Sequence, residues 1–254
     1  MPSAVLEVLA DPAAVAERVA ECLLQAARQS PGLPLGLATG RTMVPVYAAL
    51  VRRVEALAPP SRNQLLGHWR SFNLDEYVGL GPDQRQSFAA YMADHLGGPL
   101  GLAQGQLQLP NGLAADPGAE ADRYSAELAR SGGIGLQLLG LGSNGHIGFH
   151  APPCAADAPC RCLELSPATR LQNAGAFGGD PAAVPARAIT LGTGEILAAQ
   201  AVLLVVTGTD KAAMLKRCLE EPPCAERPAS WLQRHPRLQV VVDTAAAAAL
   251  TRSP

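Results

Sequence analysis

The sequence is poor in aromatic residues, poor in charge and free of long apolar runs. Phe, Trp and Tyr make up 4% of the 254 residues, charged residues make up 17%, and the formal net charge is −2. A chain without excess positive charge has no electrostatic basis for binding nucleic acid. No apolar run approaches the roughly 20 residues that span a bilayer, and the N-terminus lacks the basic and apolar regions of a signal peptide. We therefore expect a soluble cytoplasmic protein that binds neither nucleic acid nor membrane.

The cysteines show no pattern typical of disulfides or of a metal site. The chain has six of them: Cys22, Cys154, Cys160, Cys162, Cys218 and Cys224. In a cytoplasmic chain of this length, reduced thiols are expected. Cys154, Cys160 and Cys162 could join His150 in a zinc site, but this Pro/Ala-rich segment lacks a recognised ligand spacing. We therefore expect no metal.

Helical and strand-like patterns alternate along the chain. The predicted strands are 33–38, 69–74, 134–139, 188–191, 201–206 and 238–242. The predicted helices are 12–29, 43–54, 85–95, 118–130, 210–219 and 245–250. Such alternation implies right-handed crossovers between parallel strands and a sheet covered on both faces. We expect an α/β fold, a three-layer α/β/α sandwich with a mainly parallel, Rossmann-like sheet, in a single domain of residues 1–254. Residues 151–162 are expected to form a lid-like loop over the site.

The segment after the predicted strand 134–139 combines three glycines with a histidine. Gly140, Gly142 and Gly145 permit a sharp turn and a close approach to a ligand, and His146 suits proton transfer near neutral pH. The spacing formally matches the dinucleotide fingerprint, but a Pro-Pro pair follows where that motif requires a helix. We therefore reject a nicotinamide cofactor and expect a small-molecule active site at the carboxyl end of a parallel sheet.

Two loops that lead from a strand into a helix are candidate phosphate sites. The first consists of Thr39, Gly40, Arg41 and Thr42, and the second, 207–211, ends in a lysine. Hydroxyls, free backbone amides and the helix dipole favour an anion at such positions. Either loop alone could be an ordinary capped turn. Two of them in one domain favour a phosphorylated ligand.

Two adjacent carboxylates, Asp75 and Glu76, stand at the end of the predicted strand 69–74. A carboxylate that is partly desolvated in a cleft can act as a general base. The alternative for each of these acids is a capping or salt-bridged role.

Together these motifs resemble those of the glucosamine-6-phosphate deaminase family, within the 6-phosphogluconolactonase-like sugar-phosphate group. The resemblance covers nearly the whole chain and includes FNLDEYVGL at 72–80, LPNG at 109–112, NGHIGF at 144–149 and GTDK at 208–211. The sequence DEYVGL together with LPNG is typical of the deaminase branch, whereas the lactonase branch usually carries Asp-Glu-Arg at the first of these sites.

The resemblance implies a role for each matching residue. His146 would open the pyranose ring, Asp75 would carry a proton from C2 to C1, and Asn144 would orient the substrate or the histidine. The products would be fructose 6-phosphate and ammonia, formed without a metal or an organic cofactor. The implied contacts with the sugar or its phosphate come from Thr39, Gly40, Thr42, Lys211, Glu76 and Gly145.

Two positions depart from the family pattern. Ala151 stands where the family has a glutamate that partners the catalytic histidine, and His150 is the candidate substitute. Gly175 stands where the family has an arginine that contacts the phosphate. Arg41 and Arg170 are the candidates to replace that contact.

Two other functions remain open at this point. A relative acting on another sugar phosphate, by isomerisation or lactone hydrolysis, would tolerate the missing glutamate. A non-catalytic sugar-phosphate sensor is the other alternative, although no DNA-binding segment accompanies the domain. A homo-oligomer is also compatible with the sequence.

Overall fold

The computed structural model describes residues 5–30 and 32–251. Seven of its strands form one parallel sheet in the order β1-β10-β9-β6-β2-β3-β5. They are β1 (Val5–Leu9), β2 (Leu35–Leu37), β3 (Ser71–Asn73), β5 (Leu107–Gln108), β6 (Leu136–Gly140), β9 (Ala201–Val206) and β10 (Leu238–Asp243). The central strands β9 and β10 are almost continuously apolar and buried, as a strand covered on both faces requires.

Helices flank this sheet. They are α1 (Pro12–Gln29), α2 (Met43–Glu55), α3 (Pro59–Gly67), α4 (Phe88–Met92), α5 (Gly98–Leu100), α6 (Pro117–Arg130), α7 (Pro167–Asn173), α8 (Thr193–Leu197), α9 (Ala212–Glu220) and α10 (Thr244–Ala247). Helices α1 and α6 begin as their sequences predict. Asp11 and Asp116 accept backbone N–H bonds from the first turn, and a proline follows each of them. None of the described helices is both long and apolar enough to cross a membrane.

A second, antiparallel sheet stands beside the first. It contains β4 (Asp75–Tyr77), β8 (Arg187–Thr190) and β7 (Arg161–Glu164), in that order. The chain leaves the parallel sheet after Asn73 and enters β4 at Asp75. The predicted strand 188–191 therefore exists but does not belong to the parallel sheet. The predicted lid 151–162 is a loop only up to residue 160, because its last two residues begin β7.

Four of the ten aromatic side chains pack together where the second sheet meets the loops. Tyr77, Phe88, Phe149 and Phe177 form one cluster, with ring centroids 4.8–5.8 Å apart. Contacts of this kind add to the free energy gained from burying the rings. The cluster joins β4 to the segment after β6, and so fixes two parts of the candidate site relative to each other.

The predicted fold class is confirmed, and the differences lie at the ends of elements. The helix predicted at 85–95 is the short α4 followed by a π-helical turn, Ala93–Gly97. The alanine-rich segment 245–250 forms only the four-residue α10. Strands β1 and β5 and helices α3 and α7 lack the periodic pattern on which the predictions were based.

Candidate active site

The residues singled out by sequence lie mainly in loops at the carboxyl edge of the parallel sheet. Loops 39–42, 141–150 and 207–211 follow β2, β6 and β9, which are adjacent in the sheet. Two observations show that these loops meet. Thr42 and Thr207 line one cavity, and Lys211 is close enough to His146 to influence its pKa.

Asn144 holds the imidazole of His146. The Nδ1 atom of His146 lies 2.6 Å from Asn144 Oδ1, which also accepts the backbone N–H of His146 at 3.2 Å. An amide oxygen can only accept, so Nδ1 carries the proton and Nε2 is left as the basic nitrogen. Burial, with a smaller contribution from Lys211, lowers the pKa of His146 to about 4. The imidazole is therefore neutral at pH 7 and able to accept a proton at Nε2.

The glycines of this turn make room for the histidine and for the chain behind it. A Cβ atom at Gly142 would collide with the imidazole of His146. Gly145 has φ +84°, and its carbonyl accepts the N–H of Ala229 at 2.8 Å. A Cβ there would lie 3.1 Å from the sulfur of Met214. The structure thus gives Gly145 a packing role against the C-terminal part of the chain.

Asp75 is a buried acid of the site whose carboxylate has no hydrogen-bond partner among the described residues. Its residue is 6% exposed. Burial, and then the charge of Glu76, raise the pKa of Asp75 to about 8. A Cβ at Gly148 would lie 3.6 Å from Asp75 Oδ2, so the carboxylate faces the turn that carries His146. An unbonded carboxylate with a pKa near neutral is suited to removing a proton from carbon.

Glu76 has a different role from its neighbour. Its carboxylate accepts three backbone N–H bonds, from Tyr77 at 2.8 Å, Phe88 at 3.0 Å and Ala89 at 2.7 Å. It therefore caps the N-terminus of α4, although burial still raises its pKa. Because these oxygens are already bonded to the backbone, the structure favours a helix-capping role for Glu76 over the contact with the sugar expected from the sequence.

Two tyrosines that sequence reasoning did not assign hold the first phosphate loop. Gly40 has φ +114°, and its carbonyl accepts the hydroxyl of Tyr91 at 2.8 Å. The hydroxyl of Tyr47 bonds the carbonyl of Ala38 at 2.5 Å. Thr42 is the N-cap residue of α2, yet its side chain makes no capping bond. Its hydroxyl is therefore available to a ligand.

Asp243 anchors the second loop and was also missed. Its two carboxylate oxygens accept the backbone N–H of Gly208, each at 3.1 Å, and Oδ1 also accepts the N–H of Ala246 at 2.7 Å. Asp243 is 2% exposed. The only signal in the sequence is that this acid directly follows the apolar strand 238–242. Lys211, on the same loop, lies 3.6 Å from Asp210.

The two departures from the family pattern are resolved differently. His150 is fully buried, and its Nε2 lies 2.7 Å from the carbonyl of Leu191. His150 therefore does not replace the missing glutamate, and the bond to the imidazole of His146 comes from Asn144. Gly175 lies exposed in a single turn, Ala174–Phe177. Arg170 donates to the carbonyls of Val184 at 3.2 Å and Ala182 at 3.0 Å.

The fold and the site define an α/β protein with a candidate small-molecule site at the carboxyl edge of a parallel sheet. The comparisons with known proteins make this specific. The chain belongs to the family of glucosamine-6-phosphate isomerases and 6-phosphogluconolactonase, whose sequence profile matches residues 9–242.

Similar proteins match over nearly their whole length. A glucosamine-6-phosphate deaminase of Rhodopirellula baltica is 40% identical over 247 residues, 97% of this chain and 96% of that protein. One of Streptomyces coelicolor is 40% identical over 243 residues, covering 96% and 91%. A solved structure described as a monomeric glucosamine-6-phosphate deaminase superposes with a TM-score of 0.87 at 30% identity, covering 96% and 99%. The 6-phosphogluconolactonase of Trypanosoma cruzi, with a TM-score of 0.77 at 19% identity over 99% and 98%, shares the fold.

Proposed function

We propose that this protein is a cytoplasmic enzyme that converts glucosamine 6-phosphate and water into fructose 6-phosphate and ammonia. The observation that carries the proposal is the pair formed by His146 and Asp75. His146, a neutral imidazole with a fixed tautomer, lies in the turn after β6. The buried, unbonded carboxylate of Asp75 faces the same turn. The chain is also 40% identical to a glucosamine-6-phosphate deaminase.

Ring opening is the task of His146. The free Nε2 accepts the proton of the anomeric hydroxyl and returns it to the ring oxygen as the C1–O5 bond breaks. Asn144 keeps Nδ1 protonated throughout and orients the ring, the role that a second-shell hydrogen bond has in other histidine bases. A neutral imidazole can begin this cycle because its low pKa keeps it unprotonated at pH 7.

Proton transfer between carbons is the task of Asp75. Its carboxylate removes the proton from C2 of the open chain, giving an enolamine, and returns the proton to C1. The resulting ketimine at C2 is hydrolysed by water, which releases ammonia and leaves the ketose. The weakly solvated carboxylate has a raised pKa, and a raised pKa makes it a stronger base toward carbon.

The two loops would hold the phosphate at the other end of the sugar. The first would use the backbone amides of Thr39 and Gly40 and the free hydroxyl of Thr42 at the start of α2. The second would bring the ammonium of Lys211. Fixing the phosphate places C1 and C2 between His146 and Asp75, which is how remote binding energy contributes to the rate.

The test is the formation of ammonia and fructose 6-phosphate from glucosamine 6-phosphate. We expect turnover by the wild type and a loss of roughly a thousandfold or more in kcat for Asp75→Asn and for His146→Gln. Asp122→Asn and His68→Gln change an exposed acid and an exposed histidine outside the site and serve as matched controls. A wild type that binds the sugar phosphate without turnover would contradict the proposal, as would active variants at both positions.

A further inference from the structure

We infer that Arg41 is the second positive charge of the phosphate site and determines the preference for phosphorylated over neutral sugars. This inference rests on the proposed function, because it concerns the anion-binding end of the same site.

The phosphate loops carry little net charge without Arg41. A phosphate monoester has a charge of about −1.5 to −2 at pH 7. Lys211 is the one lysine in either loop, and Asp210 lies 3.6 Å from its ammonium. The second loop therefore has almost no net charge to offer a dianion. A cation near the first loop would supply the charge that the second loop lacks.

Arg41 lies in the first loop, between β2 and α2. It stands between Gly40, with φ +114°, and Thr42, the first residue of the turn into α2. Arg41 and Thr42 line a cavity of about 230 Å³ together with Thr207 of the second loop. Arg41 thus lies where the two candidate phosphate loops come together.

Arg41 has no charged neighbour among the residues that line this cavity. The remaining lining residues of the cavity are uncharged: Pro12, Val15, Ala16, Pro45 and Val46. Among residues 5–30 and 32–251, Arg41 has neither an ion-pair partner nor a side-chain hydrogen bond. It is exposed, so its donors can reach a ligand without breaking an existing contact.

The other arginines near the site are already engaged. Arg170 donates to two backbone carbonyls. Arg227 lies 3.0 Å from Glu221 and also donates to a carbonyl. Arg161 lies against the ring of His150. Arg170 and Arg161 would have to give up a protein partner to bind phosphate. Arg227 is held by its ion pair and its carbonyl contact, although its Nε has no hydrogen-bond partner among the described residues. Arg41 has no such contacts to give up.

The experiment compares Arg41→Met with Arg41→Lys and with a control, Arg237→Met. Arg237 is exposed at the amino end of β10, on the opposite edge of the sheet. For glucosamine 6-phosphate we expect Arg41→Met to raise KM about ten- to a hundredfold with a much smaller change in kcat, since a charge-assisted bond is lost. Arg41→Lys should recover part of this loss. Turnover of unphosphorylated glucosamine should be unaffected.

A second measurement separates this inference from the proposed function. Isothermal titration calorimetry with inorganic phosphate requires no turnover and measures binding at the anion site alone. We expect Arg41→Met to weaken phosphate binding about tenfold or more relative to the wild type and to Arg237→Met. Equal phosphate affinity in Arg41→Met and wild type would overturn the inference even if the deaminase reaction is confirmed. Weakened binding in Arg170→Met with none in Arg41→Met would assign the contact to Arg170 instead and would also overturn it.

Discussion

Asp75 lies in a buried position that disfavours its ionised form, although the proposed reaction requires that form. Burial stabilises the protonated carboxyl, and no hydrogen bond compensates the ionised form. The neighbouring Glu76 adds to the effect, although its own oxygens are bound by backbone amides. The two adjacent acids therefore have different tasks, one as a candidate base and one as a helix cap.

The first prediction concerns the pH dependence of catalysis. Because the pKa of Asp75 is raised to about 8, kcat/KM should fall as pH decreases below about 8. His146, with a pKa of about 4, should not contribute to this decrease. The measurement is kcat/KM between pH 5 and 9.5, in the wild type and in Glu76→Gln. Removing the charge of Glu76 should move the decrease to lower pH, while titration of the substrate is the same for both proteins. Identical profiles would refute this assignment.

The second prediction concerns stability. The folded-state pKa of Asp75 lies above its unfolded value of 3.8, so the folded chain retains a proton that the unfolded chain has lost. The contribution of this carboxyl to stability is therefore present at low pH and is lost as pH rises from about 4 to about 8. Asp75→Asn cannot ionise. Its free energy of unfolding should exceed that of the wild type by about 1–3 kcal/mol at pH 8, and the difference should decrease toward pH 5.

Urea denaturation of both proteins at the two pH values measures this difference. His146→Gln, at a half-buried polar position of the site, serves as the comparison. Because His146 is neutral in the folded protein, the opposite trend is expected. The free energy of unfolding of the wild type, relative to that of His146→Gln, should decrease as pH falls from 6.5 toward 4. A constant difference between Asp75→Asn and wild type across this range would show that the carboxyl is ionised in the folded protein.

At the scale of the elements, side chains from other parts of the fold bind the backbone of the two candidate phosphate loops and hold these loops in place. Asp243 ends β10, caps α10 and binds the N–H of Gly208 in the loop after β9. Tyr91, on α4, reaches back to Gly40. Each anchor joins a loop to an element distant in sequence, so the conformation of the loop depends on the packing of the whole sheet.

The third prediction tests the anchor at Asp243. Asp243→Ala removes the acceptor for two backbone N–H groups, and we expect a loss of about 1–3 kcal/mol in stability. It should also raise KM for the sugar phosphate, because Gly208 lies in the loop that carries Lys211. Asp116→Ala removes the comparable cap of α6 and should lower stability without changing KM. Kinetics combined with thermal unfolding distinguish the two variants, and an unchanged KM in Asp243→Ala would refute the coupling.

At the scale of the whole molecule, the fold alone does not select the reaction. The superposition on the 6-phosphogluconolactonase of Trypanosoma cruzi shows that this sheet also occurs in an enzyme named for another substrate. Which reaction such a fold catalyses depends on the few side chains at the carboxyl edge of the parallel sheet. Lactone hydrolysis requires an activated water but no base at a sugar carbon, whereas the deaminase scheme requires both His146 and Asp75.

The fourth prediction follows from that difference. The protein should convert glucosamine 6-phosphate at least a hundredfold faster than it hydrolyses 6-phosphogluconolactone, measured as kcat/KM under the same conditions. Asp75→Asn should reduce the first activity and leave any residual lactone hydrolysis less affected. Lactone hydrolysis that matches or exceeds deamination would favour the alternative function.

Much of the fold and the chemical types of the site residues could be predicted from the sequence. Alternating apolar strands and capped helices indicated the parallel sheet, since these patterns depend on local periodicity. The two-residue β5 was missed because too few residues carry a pattern, and β1 was missed because Glu7 interrupts its apolar run. Segment 188–191 was placed in the wrong sheet because sheet membership depends on distant partners.

The sequence by itself determined which chemical groups this protein has at the ends of its strands: an imidazole after a glycine turn, a pair of carboxylates and two loops rich in glycine and hydroxyl groups. Only the tertiary structure decided what each group does. Glu76 caps α4, His150 bonds the carbonyl of Leu191 and Arg170 holds two carbonyls, while Asp75 and Arg41 remain without partners in the described structure. The physical reason is that a polar side chain binds whichever donors and acceptors the fold brings near it, and most of these come from residues far away in the sequence.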